Sequence, residues 1–410
     1  MASVLKNFCR RPQISNDFMY QSSWHRRLLF LIADGSKNKK FKHGFIREIC
    51  RQNRKSLCAG KVNSNVKFKP PQRCLSTNVE VTTEKKTLDP YSLVEDEISR
   101  IPKLIKQELV TLNPELQSTA EYYFDGQGKF FRPMLVMLVA KALNFHLTNE
   151  DRLLPSQQKI AMIAEMIHTA SLMHDDVIDA ADTRRGKPSI NQVWGQRKSI
   201  IAGDFVMAMA SISLAKIRDE TVVSVVAQIT EDLVKGEFMQ MGSKENQDER
   251  FAHYINKSYK KTASLLANSC KAVAILGNCG DSIADIAYEY GKNIGISFQL
   301  IDDLLDFTSC DDVMGKPTAA DLKLGLATAP VLFAARKYPQ LNALIMRRFS
   351  QDGDVQLARE YVAKSNGVTE TRELAQKHSD EAVEQIKYLN KSDSLKALET
   401  VAKLVLSRNK

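Results

Sequence analysis

Met173-His174-Asp175-Asp176-Val177-Ile178-Asp179 and Phe298-Gln299-Leu300-Ile301-Asp302-Asp303-Leu304-Leu305-Asp306 carry one acidic pattern, Asp-Asp-x-x-Asp, 127 residues apart. Each pattern sits in helix-patterned, largely apolar sequence, where burying unpaired charge is so costly that a carboxyl would rather protonate. In a helix the first and last Asp of each cluster are i and i+4, so they project from one face about 6 Å apart. Two such faces set opposite each other make an oxygen-rich cage for hard divalent cations. Mg2+ fits best, because it keeps several waters and is usually held by one or two carboxylates plus substrate phosphates. The pair points to chemistry on a diphosphate. The plain alternative for either cluster alone is a solvated first helical turn, where acids suit the macrodipole.

Outward from the clusters, apolar residues recur at three- and four-residue spacing from about residue 92, as in Leu93, Ile98, Ile101, Leu104, Ile105 and Leu109. Segments 134–143, 160–173, 200–217, 222–241, 262–276, 283–307, 329–335 and 395–407 continue the theme. Several are apolar nearly all round, as central helices of a big bundle must be. Period-two alternation is nearly absent and hairpin-type turn dipeptides are missing. The expectation is all-α. Breaks fall at 125–128, 183–188, 242–247, 315–317 and 351–354, and no linker-like stretch separates the clusters, so residues 90–410 read as one large domain.

The net charge of +10 is unevenly spread. Residues 1–78 hold 17 Lys/Arg against Asp17, Asp34 and Glu48, leaving 41 basic and 45 acidic groups in the other 332 residues. The body is therefore slightly acidic, and nucleic acid is not an expected partner. The leader is rich in Arg, Lys, Ser and Asn, with a short apolar patch at 28–32 beside Arg26 and Arg27, as a mitochondrial transit peptide is. A disordered nucleic-acid-binding arm or a plain tail are the alternatives. The patch is too short for a secretory signal, and no segment reads as long and apolar enough to span a bilayer. Cys270, Cys279 and Cys310 lie in the body without a CxxC, which argues against a disulfide framework or zinc site.

Gly126-Gln127-Gly128-Lys129-Phe130-Phe131-Arg132-Pro133 opens a helix. Cations at a helix N-terminus oppose the macrodipole, so Lys129 and Arg132 make sense if an anion fills the space between. The alternative is a surface loop that happens to be basic. Arg184 and Arg185 present rigid forks matched to phosphate oxygens, or else pair with Asp179 or Asp182. Lys261, Thr262 and Gln299 lie on further helices, and Lys316 follows the second cluster in Gly-Lys-Pro; each is weak by itself. His168 lies two helical turns before Asp175 on the same face and could donate to a phosphate, although a lone His is more often a satisfied helix residue. His174 points roughly 100° away from that face.

The order Gly-x-Gly-Lys-x-x-Arg-Pro, Asp-Asp-x-x-Asp, Arg-Arg-Gly, Lys-Thr, Phe-Gln-x-x-Asp-Asp-x-x-Asp and Gly-Lys-Pro resembles the trans-prenyl diphosphate synthases over about residues 90–410. The resemblance implies a helical bundle of the isoprenoid synthase type with a central cavity. It implies a Mg2+-dependent prenyltransferase that condenses isopentenyl diphosphate head-to-tail onto an allylic diphosphate, farnesyl or geranylgeranyl. Carried over residue by residue, Asp175, Asp176 and Asp179, with Asp302, Asp303 and, through water, Asp306, bind three Mg2+ that bridge the allylic diphosphate. Arg184, Lys261 and Lys316 contact that diphosphate, with Thr262 and Gln299 beside it, and Lys261 joins the Asp residues in the catalytic set. Lys129, Arg132, His168 and Arg185 hold isopentenyl diphosphate.

Ala170 and Ser171 stand five and four residues before Asp175, where short-chain members carry aromatic residues, which implies a long product of seven or more isoprene units. Residues 124–129 and 321–330 are similar to the animal long-chain (decaprenyl or solanesyl) synthases. Those imply mitochondrial synthesis of the ubiquinone tail, a second, related subunit in a hetero-oligomer, and peripheral contact with the inner membrane. One departure stands out: the family's second Lys, in Gly-Lys-x-Thr, is Leu326 here. The rivals are a class I terpene cyclase and a non-catalytic scaffold subunit.

Overall fold

The computed structural model describes residues 88–408, apart from 127, 243–246 and 309–318. The leader 1–78, Lys316 and Cys310 lie outside the described residues. Helix α1 (Glu95–Glu108) opens on three acids that complement its dipole and buries Ile101 and Ile105. Helix α2 (Pro114–Glu121) starts at Asn113, whose side chain accepts the amides of Glu115 and Leu116, with proline at the first helical position. There follow α3 (Phe131–Thr148), α4 (Pro155–Ile178), α5 (Ile190–Trp194), α6 (Gln196–Ala215), α7 (Glu220–Met241) and α8 (Gln247–Ser258). A five-residue π-helical turn, Tyr259–Ala263, leads into α9 (Ser264–Leu276) and then α10 (Asp281–Thr308). The rest is α11 (Ala320–Lys323), α12 (Ala329–Lys337), α13 (Leu341–Met346), α14 (Asp354–Lys364), α15 (Gly367–Ile386) and α16 (Asp393–Leu406).

The all-α expectation holds, with one small exception. Strands β1 (Thr183–Arg184) and β2 (Lys187–Pro188) pair antiparallel around Arg185 (φ 52°) and Gly186 (φ 78°). Two successive left-handed residues are what a tight primed hairpin turn requires.

Helix α9 is the centre, packing against α3, α4, α7 and α10 and burying nearly every side chain. Each large apolar side chain so buried stabilises by roughly 1.5–3 kcal/mol. Helix α10 crosses it closely: a Cβ on Gly291 would meet the Leu266 carbonyl at 2.7 Å, and one on Gly295 would meet Ala263 Cα at 2.5 Å. The first half of α10 belongs to one apolar cluster through Ala287, Tyr290 and Ile294, and its second half to another through Leu300, Ile301 and Leu305. A buried amide pair, Asn144 and Gln157 (2.9 and 3.0 Å), ties α3 to α4, and Gln157 also donates to the Val273 carbonyl of α9 at 3.0 Å.

Helix α6 corrects one expectation. By length and composition it is apolar enough to cross a membrane, its only charges being Arg197, Lys198 and Asp204. It packs on α4, burying Ala202, Val206 and Ala210, while Ile201 and Ile212 stay about half exposed.

Candidate active site with two acidic clusters

Both acidic clusters lie at the C-terminal ends of their helices, α4 and α10, and neither last turn contains a basic residue. The macrodipole disfavours carboxylates there. The alternative of solvated first turns is therefore ruled out, and the charges call for a cation from outside their helices. In the first cluster, burial pushes Asp175 up to about 6, with Glu237 and Asp179 pushing the same way and Lys261 opposing. Asp179 is raised too, again by burial first. Among the described residues neither carboxylate makes a hydrogen bond or ion pair.

Asp176 is different. Fully buried, it accepts the Tyr123 hydroxyl at 2.5 Å and Arg184 Nε at 2.8 Å. The Tyr123 oxygen in turn accepts the Ile190 amide at 2.8 Å, so one tyrosine ties the cluster to the start of α5.

The second cluster repeats this division. Asp303 is buried and accepts the Tyr254 hydroxyl and, at 2.8 Å, Gln299 Nε2. Thr262 donates to Gln299 Oε1 at 2.6 Å, which makes a chain from the π turn to the carboxylate. Asp306 accepts the amides of Ala320 (3.0 Å) and Asp321 (3.2 Å), holding the start of α11. Asp302 pairs with Arg408 at 2.9 Å, and burial pushes it up to about 6. The family resemblance assigned all six Asp to the metal, Asp306 through water. The structure separates them: Asp176, Asp303 and Asp306 are tied to hydroxyl, amide or guanidinium donors of the scaffold, Asp302 is ion-paired with Arg408, and the side chains of Asp175 and Asp179 have no partner among the described residues, which makes these last three the better candidates for direct ligation.

The π turn sends two adjacent lysines to different partners. Lys260 pairs with buried Asp232 at 2.7 Å, which also accepts Ser264 Oγ at 2.6 Å. Lys261 pairs with Glu237 at 2.5 Å and donates to Gln240 at 3.1 Å.

A separate group of cations gathers at the start of α3. Arg132 has a buried Nε without a hydrogen-bond partner, and burial lowers its pKa. His168 is held well below its ordinary value by burial and by Arg132, Arg185 and Arg184. A Cβ on Gly128 would meet Arg185 Nη1 at 3.1 Å, so Arg185 lies against the loop that carries exposed Lys129. Three cations around a neutral imidazole, with an orphaned donor, suit an anion.

Arg408 joins them from beyond α16, its guanidinium 3.9 Å from the Phe298 ring centroid. No motif marked Arg408, Tyr123 or Tyr254 in the sequence, and only their position in the fold reveals them. Ala170 is fully buried, and the Ser171 hydroxyl is turned back onto the His168 carbonyl at 2.8 Å.

Among the described residues no three His, Cys, Asp or Glu side chains converge into a ready-made metal site. A cation that keeps its waters and borrows substrate phosphates needs none. Hard carboxylate oxygens, raised in pKa chiefly by burial, fit Mg2+.

The comparisons agree with this geometry. The Polyprenyl synthetase family profile matches residues 113–362. The chain is 55% identical over 327 residues to human all-trans-polyprenyl-diphosphate synthase PDSS1, covering 80% of this chain and 79% of that protein. It is 43% identical over 343 residues to decaprenyl-diphosphate synthase subunit 1 of Schizosaccharomyces pombe, covering 78% and 91%. Among solved structures, heptaprenyl diphosphate synthase from Staphylococcus aureus superposes with a TM-score of 0.72 at 28% identity, covering 77% of this chain and 99% of that one. A polyprenyl synthase from Caulobacter crescentus, complexed with calcium and isoprenyl diphosphate, gives 0.70 at 28% identity, covering 78% and 97%. With matched acidic clusters, a second cation group and relatives of this kind, the chain belongs to the polyprenyl synthetase family and is a prenyltransferase.

Proposed function

We propose that this chain is the catalytic subunit of a long-chain all-trans polyprenyl diphosphate synthase that adds isopentenyl diphosphate repeatedly to a farnesyl or geranylgeranyl primer. One observation carries the reading: the molecule has two cation groups, not one. Lys261 and Arg184 attend the first acidic cluster, while Arg132 and Arg185, with Lys129 on the adjoining loop, gather about the neutral His168. Two diphosphate substrates need both, whereas a class I terpene cyclase needs only the first. A scaffold subunit would be free to lose its acidic clusters, and all six Asp are present.

Asp175, Asp179 and Asp302 would hold Mg2+, three ions in all, with Asp176, Asp303 and Asp306 positioning them. Bound Mg2+ supplies positive charge to the leaving diphosphate. Arg184, Lys261 and Lys316 add to that neutralisation, so the allylic C–O bond breaks heterolytically and the charge left on carbon is short-lived. Lys129, Arg132, Arg185 and His168 orient isopentenyl diphosphate so that its double bond attacks the allylic carbon. A carbon–carbon bond forms, and the proton lost from the new unit passes to the released diphosphate. Water must stay out, or the cation is quenched.

Residues 1–78 are a mitochondrial leader in this reading, the product is the ubiquinone side chain, and the enzyme works in the matrix with peripheral contact to the inner membrane. Exposed Ile201 and Ile212 on α6 and Val234, Phe238 and Met241 on α7 support assembly with a second, related subunit.

Lys129→Ala tests the two-site assignment. It should raise the KM for isopentenyl diphosphate about tenfold or more, the size of one charge-assisted hydrogen bond, and leave that of the allylic primer nearly unchanged. A selective effect on the primer would reverse the assignment.

A further inference from the structure

A cleft of about 60 Å³ opens beside the second acidic cluster, its walls including Tyr254, Lys257, Gly325, Leu326 and Ala327. Position 326 is where a cation is missing from the Gly-Lys-x-Thr pattern. Lys257 also lines the cleft, from the last turn of α8, four residues before Lys261. We propose that Lys257 supplies, from this second helix, the positive charge for the allylic diphosphate that Leu326 does not.

The neighbouring basic groups are already engaged. Arg250 donates to Asn342 at 2.7 Å, Arg348 reaches the Met241 carbonyl at 3.5 Å, and Lys260 and Lys261 hold Asp232 and Glu237. Lys257 is half-buried, yet among the described residues it makes no hydrogen bond or ion pair. Its ammonium lies 5.2 Å from the ring centroid of Tyr254, the residue whose hydroxyl holds Asp303. A half-buried ammonium without a bonded partner is costly unless an anion completes it. Leu326, fixed by its amide to the Asp321 carbonyl at 2.8 Å, lines the cleft with Gly325 and Ala327 and brings no charge to it. A lysine on each wall would repel across a small cleft, so one position carries the charge and the other does not.

This inference rests on the second cluster being part of an allylic diphosphate site, and the test separates the two. Full-length protein, co-produced with its partner subunit, is titrated calorimetrically with farnesyl S-thiolodiphosphate, a non-ionising primer analogue, with and without Mg2+. The KM values of farnesyl and isopentenyl diphosphates are measured in parallel. Lys257→Met should weaken analogue binding about 10- to 100-fold, raise the farnesyl KM to match, and leave the isopentenyl KM within about twofold. Adding Leu326→Lys to Lys257→Met should restore most of the lost affinity. Lys257→Gln, which stays polar but carries no charge, replaces the Met variant if that one does not fold. Unchanged analogue affinity in the charge-removed variant, a raised isopentenyl KM, or no recovery with Leu326→Lys overturns the proposal. Wild-type protein that binds the analogue equally without Mg2+ overturns the underlying site, and this inference with it.

Discussion

Asp302→Ala or Asp175→Ala is expected to cut turnover by roughly a hundred- to a thousandfold at saturating Mg2+, while making the metal-free protein more resistant to heat. The second half of that expectation follows from sign. An Asp titrates near 3.9 in an unfolded chain, and both carboxyls are pushed up to about 6 in the fold, chiefly by burial. A raised carboxyl favours folding below the unfolded value, and that contribution disappears as pH rises through about 6. At pH 7.5 each ionised carboxylate therefore opposes folding unless a cation answers it. Scanning calorimetry should show three things: a higher midpoint for metal-free Asp302→Ala at pH 7.5, little gain at pH 4, and a Mg2+-induced rise for wild type that shrinks below pH 6. Near wild-type turnover in either variant, or a Mg2+-induced rise equal to that of wild type, would show that these carboxylates do not hold the metal.

Ala170→Phe should shorten the product to a few isoprene units while keeping the first condensation. Ala170 is fully buried on α4, five residues before Asp175, and each helical turn of about 5.4 Å roughly matches one isoprene unit. If Ala170 borders the growing chain, an aromatic ring there blocks elongation without touching the diphosphates. The competing effect is plain overpacking, which costs about 1–3 kcal/mol and would slow every condensation alike. Product chromatography tells them apart, because overpacking leaves the length distribution long. Ser171 is a poorer probe, since its hydroxyl already bonds the His168 carbonyl.

How much of this was legible in sequence depends on the range of the interaction. Helical periodicity located α1, α3, α4, α6, α7, α9, α10, α12 and α16, because an apolar stripe is a local signal. It passed over α15 (Gly367–Ile386), a mostly polar segment that is nevertheless a main packing partner of α10. It also missed the hairpin at 183–188, whose Arg185-Gly186 turn lacks the usual Asn or Asp. In the site, the i, i+4 geometry of the acidic clusters was readable, but not the division of labour within them. That division is made by Tyr123 and Tyr254, 53 and 49 residues from the carboxylates they hold. The Lys-Thr motif singled out Lys261 and said nothing of Lys260; the π turn gives Lys260 the buried partner Asp232 and sets Lys261 beside Glu237 and the first cluster.

The measurement that bears most directly on the central claim is a product assay with farnesyl diphosphate, radiolabelled isopentenyl diphosphate and Mg2+. It is run on this chain alone and on this chain co-expressed with a related, Asp-motif-poor subunit. The expected product is a linear all-trans polyprenyl diphosphate of seven or more units, formed much faster by the co-expressed pair. An isolated homodimer as fast as the mixture would remove the second subunit from the account. A cyclic hydrocarbon, or no incorporation of label in either preparation, would contradict the account itself.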